Sequence, residues 1–288
     1  MTPFYKVSGA GNDFIALVEP PARPGAEEIR AWCRRGLSHG ADGLFVLEGA
    51  GPGAARMTYW NADGGEAALC LNGTRCAARL AFDLGWAAAD GLLTVETGAG
   101  PFAARRLGPA EIAVEVPPLA AAPEAREVEV DGRRHRGWAV TVGVPHFVLE
   151  RPGGLADAPV ASLGPGLRRH PAFGAGGTNV DFVRFADARP GPRPDRARLE
   201  VRSFERGVEA ETLACGTGVL AAVAAGLAAG RLALPAEAAT RGGFALTVDG
   251  ESDGGLPRRW SLAGDARIVA RGELSPDAAS LPAPPPWA

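Results

Sequence analysis

Apolar positions along the chain fall into two rhythms. Alternation, or runs of β-branched and aromatic residues, predicts strands near Tyr5–Val7, Phe14–Val18, Leu44–Leu47, Met57–Asn61, Leu92–Glu96 and Ile112–Val116. More are predicted near Trp138–Val142, Phe147–Leu149, Val180–Phe185, Arg198–Phe204, Phe244–Val248 and Ala266–Ala270. Helical spacing is rarer and marks Ala26–Arg35, Asn72–Leu84 and Gly216–Ala229. The chain therefore reads as a strand-rich α/β (α+β) protein. The Ala, Pro and Leu stretch from Pro117 to Pro123 predicts a linker between two halves, 1–118 and 124–263. Arg189 to Asp195 predicts a surface loop, and 281–288, with Pro284-Pro285-Pro286, a flexible tail.

The halves repeat one pattern. Residues 56–83 give a strand, a loop, Glu66, and then Cys70 opening an alanine-rich helix; residues 198–228 give a strand, a loop, Glu211, and then Cys215 opening another. In both, the glutamate stands four residues before the cysteine. The pattern implies duplication, with an active site between the halves.

Composition narrows the chemistry. With 288 residues, 46% of them hydrophobic, the chain can bury a core in each half. A net charge of -3 with scattered basic residues gives no footprint for nucleic acid or an anionic membrane, so the expected partner is a small molecule. The N-terminus has neither a basic start nor an apolar h-region, and no run approaches the roughly 18 apolar residues of a membrane span, which places the protein in the cytoplasm. Four cysteines (Cys33, Cys70, Cys76, Cys215) make no disulfide framework, and the absence of a Cys-x-x-Cys pair argues against a metal. Lys6 is the sole lysine, so a pyridoxal-phosphate Schiff base has almost nowhere to form, and neither a P-loop nor a complete Gly-x-Gly-x-x-Gly is present. No cofactor is expected.

Taken singly, a cysteine is most often a small buried hydrophobe, the role assigned to Cys33 and Cys76. The matched pair points elsewhere. Cys70-Leu-Asn-Gly-Thr and Cys215-Gly-Thr-Gly-Val each place a thiol at a helix N-terminus, where unpaired N–H groups and the macrodipole favour an anion and lower a thiol pKa. The same amides can hold a carboxylate. An amino acid held there by its α-carboxylate, with one thiol on each face of the α-carbon, meets the needs of an epimerase: one thiolate removes the proton and the other thiol supplies one.

At these residues the sequence resembles the diaminopimelate epimerases over nearly its whole length. The resemblance rests on Lys6-Val-Ser-Gly-Ala-Gly-Asn-Asp-Phe14, Gly40-Ala-Asp-Gly43, Asn61-Ala-Asp-Gly64, Cys70-Leu-Asn-Gly-Thr-Arg-Cys76, Gly143-Val-Pro-His146, Gly177-Thr-Asn-Val180, Glu205-Arg-Gly207 and Cys215-Gly-Thr-Gly218. It implies two pseudo-symmetric domains, each a curved mixed sheet around a central helix, with a C-terminal strand within 264–280 returning to the first. It implies an isomerase that needs no pyridoxal phosphate, interconverting LL- and meso-2,6-diaminopimelate in lysine and peptidoglycan synthesis, and it admits a homodimer. It assigns Cys70 and Cys215 as the acid/base pair, and His146 and Glu205 as neighbours that bind the reacting amine and tune the thiols. Leu71, Asn72, Gly216 and Thr217 would hold the α-carboxylate. Asn12, Asn61, Asn179 and Arg206 would grip the distal groups of the substrate.

Three positions depart from the family pattern. Leu71 stands where glycine is usual and would crowd the site, Val144 stands where many members have asparagine, and the loop Gly207–Glu211 is one residue longer than the commonest form. The alternatives are a racemase for another amino acid such as histidine, and an inactive binding protein of the same fold. Retention of both cysteines argues against the latter.

Overall fold

The computed structural model describes residues 2–186, 196–253 and 256–280, so the loop expected at 189–195 and the tail expected at 281–288 lie outside the described residues. In chain order the elements are β1 (Thr2–Gly9), β2 (Asn12–Val18), α1 (Ala26–Cys33), β3 (Gly43–Gly49), β4 (Ala54–Asn61), β5 (Glu66–Ala67), α2 (Leu71–Asp83), β6 (Leu93–Thr97), β7 (Gly100–Arg106) and β8 (Glu111–Val116). They continue with β9 (Glu124–Val130), β10 (Arg133–Val142), β11 (Val144–Glu150), α3 (Val160–Arg168), β12 (Asn179–Phe185), β13 (Ala197–Glu205) and β14 (Ala210–Thr212). The last are α4 (Gly216–Ala228), β15 (Ala236–Thr240), β16 (Ala245–Asp253), β17 (Leu256–Asp265) and β18 (Arg267–Leu274). Two compact units result, Met1–Ile112 with Ala266–Ala288, and Ala113–Asp265.

Strand pairing makes the duplication explicit. In the first unit β1–β2 is antiparallel, β2–β3 parallel, β3–β4 antiparallel, β4–β5 antiparallel, β4–β6 parallel and β6–β7 antiparallel. The second unit repeats that series as β10–β11, β11–β12, β12–β13, β13–β14, β13–β15 and β15–β16. Each unit adds a strand to its first hairpin, β18 on β1 and β9 on β10.

Each unit wraps its sheet around one helix and lays a second helix outside. α2 packs on β1 to β4, β6, β7 and β18, while α1 covers the opposite face through Ile29, Trp32 and Cys33 against Ile15, Leu17, Leu44 and Val46. α4 packs on β10 to β13, β16 and β17, and α3 lays Val160 and Leu167 on Phe147, Leu149, Val180 and Phe182. Strands covered on both faces need apolar residues at every position, which is why β2 and β3 read as unbroken runs rather than alternations. α4 is apolar all round because it is buried all round. Both central helices end alike: Gly85 and Gly230 take positive φ, and the next amides, of Trp86 and Arg231, reach back to the Ala81 and Gly226 carbonyls.

The sequence pattern misses α3, β9 and the first half of β10, whose second half is the strand expected at Trp138–Val142. Gly164, Pro165 and Gly166 break the helical pattern of α3, yet Gly164 is required there: a Cβ would come within 2.7 Å of the Phe204 ring. β9 and β10 are charged over much of their length and turn through Asp131 and Gly132, both at positive φ. Among the described residues no helix is long and apolar enough to cross a membrane.

A polar cluster anchors the β1–β2 hairpin. Lys6 Nζ lies 2.6 Å from Asp13 and also donates to the Gly40 carbonyl, while Arg35 binds Asp13 and, at 2.8 Å, Asp42. Burial would raise the Asp13 pKa, but the bonds from Arg35 and Lys6 outweigh it and hold the carboxyl below its usual value. A carboxylate whose folded pKa is depressed contributes stability that is present above its unfolded value near ~4 and is lost as pH falls through the folded value. Urea unfolding midpoints should therefore drop below about pH 4, and less steeply in Asp13→Asn; equal slopes in the two proteins would contradict this assignment.

Candidate active site

The second unit gathers the densest set of buried polar groups. β11 supplies His146, β12 Asn179 and Asp181, β13 Ser203 and Glu205, and the first turn of α4 follows Cys215, its N-cap. Cys215 Sγ lies 3.4 Å from Thr217 Oγ1, and the Glu205 charge acts on the thiol. Thr212 Oγ1 donates to Glu205.

Behind these groups runs a hydrogen-bonded chain. The Arg206 amide donates to Asn179 Oδ1 at 2.7 Å, which turns the Asn179 amide nitrogen toward His146 Nε2 at 3.4 Å. With Nε2 facing a donor, the ring proton belongs on Nδ1, which lies 2.7 Å from Asp181 Oδ2; Asp181 Oδ1 accepts from Ser203 Oγ at 2.6 Å. His146 and Asp181 are almost wholly shielded from solvent. Gly218 makes room for this chain, since a Cβ there would come within 2.3 Å of Asp181 Oδ1.

Burial, helped by the Glu205 and Asp181 charges, pushes the Cys215 thiol well above its usual pKa, against the downward pull of Thr217 and the Gly218 amide. This corrects the expectation that its helix N-terminus makes a ready thiolate: desolvation and two carboxylates outweigh the macrodipole, so Cys215 rests as a thiol. Burial also raises Glu205, aided by Asp181 and opposed by Thr212, His146 and Cys215. The Cys33 thiol is pushed to about 12, first by burial, and Cys76 is buried inside α2, which suits the structural role expected of both.

In the first unit Cys70 is the N-cap of α2, its thiol accepting from the Gly73 amide at 3.4 Å. Asn12 Oδ1 lies 3.8 Å from Cys70 Sγ and accepts from Asn72 at 3.3 Å, while the Asn12 amide nitrogen donates to Asp42. Asn72 also accepts from the buried Arg75 at 2.8 Å. Asn61 closes the turn to Gly65 through its backbone and leaves its side chain exposed, with Oδ1 accepting from Tyr59.

Register gives each position in one unit its counterpart in the other. Asn12 and Val144 are the equivalent first residues after the hairpin turn, and two residues on stand Phe14 and His146. Phe45 and Tyr59 hold the places of Asp181 and Ser203. The first unit thus lays three aromatic rings under its central helix, Phe14 packing on Phe45 at 6.2 Å and on Tyr59 at 5.9 Å, where the second lays a His–Asp–Ser chain.

The other expected residues fall as follows. Leu71 buries its side chain in the first unit's core, and Gly216 and Thr217 form the first turn of α4. Arg206 is half-buried near Gly176, and among the described residues no carboxylate pairs with its side chain. Sequence reasoning overlooked Asp181 and Ser203. The available signal was an acid at the centre of Asn-Val-Asp-Phe-Val, since a buried charge needs dedicated partners.

A family model described as diaminopimelate epimerase matches residues 4–111 and 138–258. A diaminopimelate epimerase of Gemmatimonas aurantiaca is 38% identical over 297 residues, covering 94% of this chain and 99% of its own. A probable proline racemase from Agrobacterium radiobacter K84 superposes with a TM-score of 0.70 at 16% identity, over 97% of this chain and 96% of its own. A phenazine biosynthesis PhzF-family protein of Enterococcus faecalis gives a TM-score of 0.68 at 18% identity, over 95% and 99%. At those identities the two structures establish the shared fold alone. The matched span and the curated relative together place this chain in the diaminopimelate epimerase family.

Proposed function

We propose that this protein interconverts LL- and meso-2,6-diaminopimelate by a two-base reaction, serving lysine and peptidoglycan synthesis. The observation that carries the reading is the repeated cysteine: each unit ends its strand-and-hairpin element in a thiol at the N-cap of the central helix, Cys70 on α2 and Cys215 on α4. Helix N-terminal amides are preorganised donors for an anion, and their hold on an α-carboxylate strengthens as the α-carbanion develops. One thiolate takes the α-proton and becomes a thiol; the other thiol delivers a proton to the opposite face and becomes a thiolate. In the second unit, Thr217 Oγ1 lies in reach of the Cys215 thiolate as it forms, and the N-terminus of α4 favours the same charge.

No cofactor enters this scheme. The sole lysine amine is committed to Asp13 and Gly40. Purified protein should therefore lack a pyridoxal absorbance band and should convert LL-diaminopimelate to the meso form in the presence of EDTA, followed by chiral chromatography. Activity that needs added metal or pyridoxal phosphate would overturn the scheme. Running histidine, lysine and glutamate alongside tests the substrate, and preference for any of them would replace diaminopimelate while leaving the two-thiol reaction in place.

A further inference from the structure

We infer that Asp181 is a positioning residue for epimerisation, fixing His146 as its Nδ1–H tautomer behind the first turn of α4 and thereby making the Cys215 half of the reaction different in kind from the Cys70 half. The inference rests on the two-thiol reading for its catalytic consequence. Its geometry stands apart from that reading.

Three observations converge on Asp181. Its two oxygens are committed to different partners, Ser203 at 2.6 Å and His146 at 2.7 Å, and the orientation of Asn179 independently puts the His146 proton on the nitrogen that faces Asp181. A short carboxylate held at both ends is stiff, so the imidazole it holds is stiff as well. The third residue of α4 is glycine at the one place where a methyl group would drive into Asp181 Oδ1, at 2.3 Å, so helix and carboxylate are fitted to each other. The equivalent places in the other unit hold Phe45, Phe14 and Tyr59, which donate and accept nothing at those positions except through the Tyr59 hydroxyl. Duplicated halves that diverge to aromatic rings on one side and to a His–Asp–Ser chain on the other need not serve the two thiols alike.

The charge of Asp181 has a directional effect. The groups that act on Cys215 are Glu205 from β13, Asp181 from β12, and Thr217 with the Gly218 amide from α4; His146 from β11 acts on Glu205. Both carboxylates hold the thiol protonated. Removing one charge lowers the thiol pKa, and an asparagine in place of Asp181 offers His146 a neutral acceptor only, with its NH2 turned to Ser203, so the hold on the imidazole weakens.

The test is Asp181→Asn, with kcat, KM and the pH profile of kcat/KM measured for LL-diaminopimelate. The expected result is a kcat lowered roughly ten- to hundredfold, the range seen when the hydrogen-bond partner orienting a functional histidine is removed, with KM within about twofold and the basic limb moved to lower pH. Unchanged kinetics, or a lower kcat with an unmoved basic limb, would overturn the inference, because a merely structural Asp181 gives one of those. Should the variant not fold, nitrogen NMR of the wild-type histidine rings decides. Four histidines are present and His146 is the buried one hydrogen-bonded to a carboxylate. A protonated Nδ1 on that ring supports the inference, and a protonated Nε2 overturns it. The NMR arm uses no substrate, so it stands even if diaminopimelate proves not to be the substrate.

Discussion

Cys70→Ser and Cys215→Ser should each lower epimerisation by at least ~10²- to 10⁴-fold in both directions, the span that a positioned acid or base supplies. Serine is the informative replacement. Each cysteine is an N-cap, and Cys70 Sγ accepts the Gly73 amide. A serine oxygen performs that capping at least as well, so the helix keeps its start and the thermal midpoint should hold or rise. What disappears is a group able to exchange a proton near neutral pH. Alanine gives the same loss of activity, and at Cys70 a further loss of about 1 kcal/mol from the missing cap. Either serine variant retaining near wild-type turnover in one direction would remove the two-base scheme, since each direction needs both a base and an acid.

Arg206→Met should reduce kcat/KM for diaminopimelate by roughly ten- to hundredfold, because a charge-assisted contact contributes about 1.5–3 kcal/mol and each 1.4 kcal/mol is a factor of ten. The structure gives this arginine an unusual standing. Most arginines near the site are matched with acids, as Arg168 and Arg169 are with Glu209 and Arg202 is with Glu211. Arg206 instead has its backbone fixed by Asn179 and no carboxylate on its side chain among the described residues. A distal substrate carboxylate would be that partner. Val144 stands at the equivalent of Asn12 and offers no hydrogen bond, which should weaken binding without abolishing the preference for a second carboxylate. If Arg206→Met leaves the ranking of diaminopimelate over lysine and histidine unchanged, recognition of the distal carboxylate lies elsewhere.

Much of this architecture was legible from local pattern. The two long helices, α2 and α4, show because alanine-rich helical spacing is strong, and Cys70 and Cys215 show because each precedes a short polar or glycine-rich turn that starts such a helix. α1 stops at Cys33, two residues before its predicted end. Elements held by long-range pairing alone were harder to see. β5 and β14 are only two and three residues long, and they exist because each folds back on its neighbouring strand. The same limit hid the chemistry of the second unit. His146, Asp181 and Ser203 are separated by 35 and 22 residues, and only the parallel β11–β12 and antiparallel β12–β13 registers bring them into one chain. Local sequence carries the helix N-terminus that places Cys215 but not the burial that keeps it a thiol.

The central claim is that two different thiols handle the proton. It is tested most directly by running the wild-type enzyme on LL-diaminopimelate in D₂O and following both α-positions at early times by NMR and mass spectrometry. A thiol equilibrated with solvent delivers deuterium, while the hydrogen taken by the other thiolate can return only to the face it left. The account predicts meso product carrying deuterium at its inverted carbon, with the remaining LL substrate still protonated there. Meso product that retains the original hydrogen, or a substrate pool that exchanges as fast as product forms, would contradict it.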